Sequence, residues 1–161
     1  MLESLLQDIT TNVSTIYGSN VFCHIGNSAN ISKELTNLKK VNEKRFPLIA
    51  FMRPFKITDN GNHYDVTIRR VAIATVTINK EYELEKIRTN FDLYLRPINA
   101  IFKQVLTEDK RIICGTKGQE YTTEDMPYFN SGIEPDSGDK MDGIVIDNLN
   151  LKINKVKLNC N

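Results

Sequence analysis

Two histidines and three cysteines are all that this chain offers for chemistry needing a titrating imidazole or a thiolate. His24 directly follows Cys23. In an extended strand adjacent side chains point to opposite faces, so this pair cannot share a metal or form a thiolate–imidazole couple without a bend. A buried Cys23 beside an exposed His24 is the expectation. His63 follows Asn60-Gly61-Asn62 and reads as an exposed turn residue. Gly115-Thr116-Lys117-Gly118 has the residue types of a phosphate loop, but it lacks the Gly-Lys-Ser/Thr order and the helix that must open behind it. Between Asp136 and Gly143 the acids fall every third residue, whereas a calcium-binding loop wants alternate positions and a Glu at twelve. A solvated loop is expected there. Cys23, Cys114 and Cys160 are odd in number and widely separated, which argues against a disulfide framework or a clustered zinc site. None of these patterns is a recognisable catalytic, cofactor-binding or metal-ligating set.

Charge is more informative locally than globally. Arg69-Arg70, with Lys39, Lys40, Lys44 and Arg45, could build a basic patch, yet no stacking aromatics are interleaved with them. A solvated or inter-subunit surface is the expectation. Residues 119–142 hold seven acids against the single base Lys140, together with Pro127 and Pro135, and read as a long, mobile acidic loop. Its self-repulsion costs little in water and rises on dry burial, so the loop belongs at a wet surface. Tyr121, Met126, Tyr128 and Phe129 give the same segment apolar anchors, which fits a partner contact better than a purely repulsive lining.

These residues need elements to position them. Leu2, Leu5, Leu6, Ile9, Val13 and Ile16 recur at helical spacing before Gly18, which predicts an amphipathic helix over residues 2–17. A short strand at Val21–Ile25 should lead through Gly26–Asn30 into a short helix carrying Ile31, Leu35 and Leu38. Phe46–Met52 is an apolar run closed by Arg53-Pro54, expected as a buried strand. Asp59-Asn60-Gly61-Asn62 signals a hairpin turn, and a long strand rich in Val, Ile and Thr follows from Tyr64 to Ile78. A bulge near Arg69-Arg70 would let Val71 and Ile73 change faces. From Asn79 the principal core helix should carry Leu84, Ile87, Phe91, Tyr94, Leu95, Ile98, Phe102 and Val105, kinked or divided at Pro97. Arg111–Cys114 is a short strand candidate before a turn at Gly115–Gly118. Gly143–Leu158 predicts one or two strands with a break near Asn148-Leu149-Asn150.

A length of 161 residues fits a single domain over 1–161. The chain is 40% hydrophobic and 25% charged, as soluble globular chains are, and no apolar run approaches the ~20 residues that a bilayer span needs. Lys+Arg is 21 and Asp+Glu is 20, a net charge of +1, so there is no global pull towards nucleic acid or anionic lipid. Met1-Leu2-Glu3-Ser4 has an early acid and no basic lead into an apolar stretch, so neither a secretory signal nor a transit peptide is expected.

From Phe46 to Leu106 the chain resembles a family of tailed-phage structural proteins of the tail-completion, tail-terminator or head–tail-joining kind, known from phages of Bacteroidetes-like hosts. A helix ending at Tyr17-Gly18 precedes Phe46-Pro47-Leu48-Ile49, and Val71-Ala72-Ile73-Ala74-Thr75-Val76-Thr77 leads into a helix with Arg88, Phe91 and Leu95-Arg96-Pro97-Ile98. Gly143-Ile144-Val145-Ile146-Asp147-Asn148-Leu149-Asn150-Leu151 then runs towards Cys160. The acidic 119–142 stretch has no counterpart in the family pattern. The resemblance implies an α+β fold, an antiparallel sheet with a long hairpin flanked by the N-terminal helix and a long central helix. It also implies a virion protein, assembled in the host cytoplasm, that forms a ring in the neck or at the head-proximal end of the tail. The expected partners are further copies of itself, as a cyclic hexamer or dodecamer, and other neck or tail proteins, with DNA passing through the ring and no membrane contact. The resemblance implies no catalysis, no catalytic or metal-binding residue and no cofactor. Arg69, Arg70, Tyr121, Met126, Tyr128 and Phe129 are the candidate contact residues. The competing readings are a small intracellular protein-binding module or regulator, and a hydrolase with an unrecognised site.

Overall fold

The computed structural model describes residues 1–27, 46–76, 89–129 and 141–158. It is an α+β fold in which helices cover one face of a five-stranded sheet ordered β1-β2-β3-β5-β4. Helix α1 spans Leu2–Tyr17 and stops where Gly18 adopts a left-handed φ of 79°, its N–H bonding Ser14 O at 2.9 Å. The Ser14 hydroxyl accepts the Val21 amide at 2.9 Å and so steers the chain into β1 (Phe22–Asn27). Five of the six expected apolar positions of α1 are buried; Ile16 is the exception, 48% exposed near the last turn.

Strands β2 (Leu48–Asp59) and β3 (His63–Val76) form the expected hairpin. Gly61 takes a φ of 81° in its turn, and the Asp59 carboxylate accepts the Gly61 amide at 2.9 Å. Strand β5 (Met141–Asn154) pairs antiparallel along all of β3, and β4 (Glu124–Phe129) pairs antiparallel with the start of β5. The sheet is not wholly antiparallel, which corrects the expectation. Strand β1 runs parallel to the first half of β2, from Phe22 opposite Leu48 to Asn27 opposite Arg53.

The main core lies between the helices and this sheet. Ile49, Phe51, Val66, Ile68, Val71, Ile73, Ile144 and Ile146 meet Leu5, Leu6, Ile9, Leu95, Ile98 and Phe102. Near β1 and β4 the other face is apolar and buried too, through Leu48, Ala50, Met52, Ala72, Ala74, Met141 and Val145. Burial on both faces is why Leu48–Met52 reads as an unbroken apolar run. Towards the hairpin turn that second face is polar: Thr67 bonds Asn150 at 2.7 Å and Arg70 bonds Asp147 at 2.8 Å.

A band across the sheet separates the two halves. Inward positions on β3 pass from Val66 and Ile68 to Val71 and Ile73, the face change expected at Arg69-Arg70. On β5 they pass from Ile146 to Leu149 around Asn148, whose φ is 55°, so the expected break is a local twist within one continuous strand. Strand β2 absorbs the mismatch with one extra residue between Met52 opposite Arg70 and Phe55 opposite Ile68.

The central helix differs from its expectation. Asn79, Leu84 and Ile87 lie outside the described residues, as do Cys160 and residues 28–45, on which the expected short helix with Ile31, Leu35 and Leu38 and the basic residues Lys39, Lys40, Lys44 and Arg45 fall. A π-helical segment, Thr89–Leu95, precedes α2 (Arg96–Glu108). Pro97 sits in the first turn of α2, where its missing N–H costs no helical bond, so the proline divides the two segments. The wider π winding shifts the stripe: Phe91, Leu95, Ile98, Phe102 and Val105 are buried, while Tyr94 is 44% exposed. Residues 111–114 form no strand; a single bridge joins Ile112 to Ile153, and Gly115–Gly118 makes the expected turn. The chain after Asn154 is a helical turn, α3 (Lys155–Leu158), and not a continued strand.

The expectation of one loop over 119–142 is corrected at both ends. Gln119 is buried, with its amide side chain donating to Asn150 O at 2.8 Å. Glu124–Phe129 is β4, and Met141 and Asp142 open β5. Asp142 is 1% exposed and accepts the Asn90 side-chain amide at 2.6 Å, so this acid does not stand at a wet surface. Residues 130–140 lie outside the described residues.

Candidate assembly surface

The reactive residue types are dispersed. Cys23 packs against the main core from β1, and His24, next along the strand, points to the other face. His63 opens β3 and lies 3.5 Å from Asp65. Burial pushes the Cys23 and Cys114 thiols up, the opposite of what an activated nucleophile needs. Among the described residues no three His, Cys, Asp or Glu side chains converge as metal ligands.

The sequence-predicted contact residues do not form one patch. Arg69 and Arg70 are exposed in the twisted band of β3, and Arg70 is held by Asp147. Tyr121 belongs to the core side. Its ring lies 6.2 Å from that of Phe102, its hydroxyl donates to Asn99 Oδ1 at 2.8 Å, and burial pushes its phenol well above the usual range. Met126 is half-buried against the second apolar cluster. Tyr128 and Phe129 belong to β4, with side chains outside the described residues.

A different surface emerges at the hairpin. Strand β1 covers β2 only as far as Arg53, and from Pro54 to Asp59 the outer edge of β2 pairs with no strand among the described residues. The sequence had suggested a strand ending at Met52, yet β2 continues past Pro54. A proline is tolerated on a strand whose outer side has no partner. Phe55-Lys56-Ile57-Thr58, alternating directly before the Asp-Asn-Gly turn, was the signal available for this extension.

Along that edge, on the helix-bearing face, runs an apolar groove of about 600 Å³ floored by Leu2, Phe55, Tyr64, Val66 and Ile153. Ile57 stands at its lip, 53% exposed. Ion pairs edge it. Arg53 meets Glu3 at 2.7 Å, and Lys155 bonds Asp59 while its ammonium lies 4.5 Å from the Tyr64 ring centroid. The Lys155 bond and the Gly61 amide together hold the Asp59 carboxyl below its usual range. An open backbone edge beside an apolar groove is suited to taking an extended segment: main-chain groups pair while alternate side chains enter the groove. Comparison with protein families, with curated proteins and with solved structures finds no match for this chain.

Proposed function

We propose that this chain is a non-enzymatic structural protein of a tailed-phage virion, forming a homo-oligomeric ring in the neck or at the head-proximal end of the tail. The observation that carries the reading is the outer half of the β2–β3 hairpin, where among the described residues the β2 edge has no strand partner and runs beside an apolar groove of about 600 Å³. A ring subunit needs such self-presenting surfaces more than it needs a charged cleft. The resemblance over Phe46–Leu106 supplies the virion setting, with other neck or tail proteins as neighbours and DNA passing through the ring. The same groove also suits a small intracellular protein-binding module, which would stay monomeric alone. The test is genetic and structural: phage assembled without this chain should accumulate separate heads and tails, and purified particles should carry the chain at their junction. Normal infectious particles from the deletion would overturn the proposal.

A further inference from the structure

Resting on the ring reading, we infer that neighbouring copies join by sheet extension, the edge of β2 that has no partner among the described residues in one copy pairing with β4 of the next. Two features of the sheet lead there. The open stretch of β2, Pro54–Asp59, lies towards one side of the sheet and β4 closes the other, so a head-to-tail contact between them uses two different surfaces, as a cyclic ring requires. Strands β2 and β4 also run in opposite directions within the sheet, so the β2 edge of one copy meets β4 of the next as an antiparallel pair.

Charge then selects this partner over a second β2 edge. Phe55 packs into the main core, so Lys56 projects from the face away from the helices. Glu124 lies opposite Val145, a residue of the second apolar cluster, and therefore projects from that same face. Both side chains are exposed, and neither has an ion pair among the described residues. In the antiparallel register that sets Lys56 of one copy opposite Glu124 of the next they meet on one side as opposite charges, whereas pairing two β2 edges about Lys56 brings two ammoniums together. On the groove face the incoming strand covers Ile57. Pro54 and Pro127 each lack an N–H, which keeps the joint short.

Charge reversal tests the pairing in the full chain, with far-UV circular dichroism and the thermal midpoint confirming that each variant folds. Lys56→Glu and Glu124→Lys, each alone, should loosen the oligomer by roughly fivefold per contact, because like charges then face each other. Mixing the two variants one to one should restore the wild-type mass, since every junction in an alternating ring again joins opposite charges. Wild-type assembly by both single variants would place the interface elsewhere and leave the ring reading standing. Loosening by Lys56→Glu without rescue in the mixture would overturn the β2–β4 pairing, and an unaffected Glu124→Lys variant that assembles more tightly when mixed with Lys56→Glu would place the contact between two β2 edges. A wild-type chain that stays monomeric at sub-millimolar concentration would overturn the pairing and the ring together.

Discussion

At the scale of single residues, the parts that depend on burial are the clearest. Phe91 is 2% exposed at the mouth of α2, with the Arg96 guanidinium 5.5 Å from its ring centroid. Phe91→Ala should cost roughly 3–5 kcal/mol in urea unfolding, and a loss under about 1 kcal/mol would show that the π-helical segment adds little to the core. Asp109 gives a pH signature. Burial pushes its carboxyl up, but hydrogen bonds from the Arg111 side chain and amide outweigh burial and leave it below its ordinary value. A carboxyl lowered on folding stabilises the protein fully above its unfolded pKa of about 3.9, and that contribution is lost as pH falls through the folded value. Asp109→Asn should therefore cost about 1–3 kcal/mol at pH 7 and make the acid limb of the stability profile shallower. Equal acid sensitivity in the variant and the parent would contradict this. Asp142 marks where residue-level reading ends. Its charge suggested water, and only its place on β5 opposite Asn90 reveals a buried acceptor.

Among elements, what repeats along the chain was legible and what depends on a distant strand was not. The spacing of Leu2 to Val13 and the Asp-Asn-Gly turn announce α1 and the hairpin, because helix periodicity and a left-handed glycine are local properties. The parallel placement of β1 and the pairing of acidic β4 with β5 depend on strands far away in sequence, so composition pointed towards a loop in the second case. The hairpin edge and its groove were missed for the same reason: Pro54 ends a strand that has neighbours on both sides, but not one with a bare edge. Two glycines separate backbone strain from crowding. At Gly61 a methyl group meets open space, so Gly61→Ala should cost about 1–2 kcal/mol from its left-handed φ alone. At Gly118 the same methyl would stand 2.7 Å from Thr107 Cγ2, and Thr107 is held by bonds to Lys103 O and from the Gln119 amide. Gly118→Ala should cost about 1–3 kcal/mol more than Gly61→Ala in thermal unfolding. Equal losses would mean that the Thr107 tether yields.

For the whole molecule, the proposed assembly rests on a β2 edge without a partner among the described residues, an apolar groove beside it and an acidic strand at the far side of the same sheet. The most direct measurement is native mass spectrometry of the full chain across a concentration series, with negative-stain images of the same sample. A single closed stoichiometry that falls to monomer on dilution, with ring-shaped particles, is the predicted result. A monomer at every concentration, or an open-ended ladder of masses without rings, would contradict it.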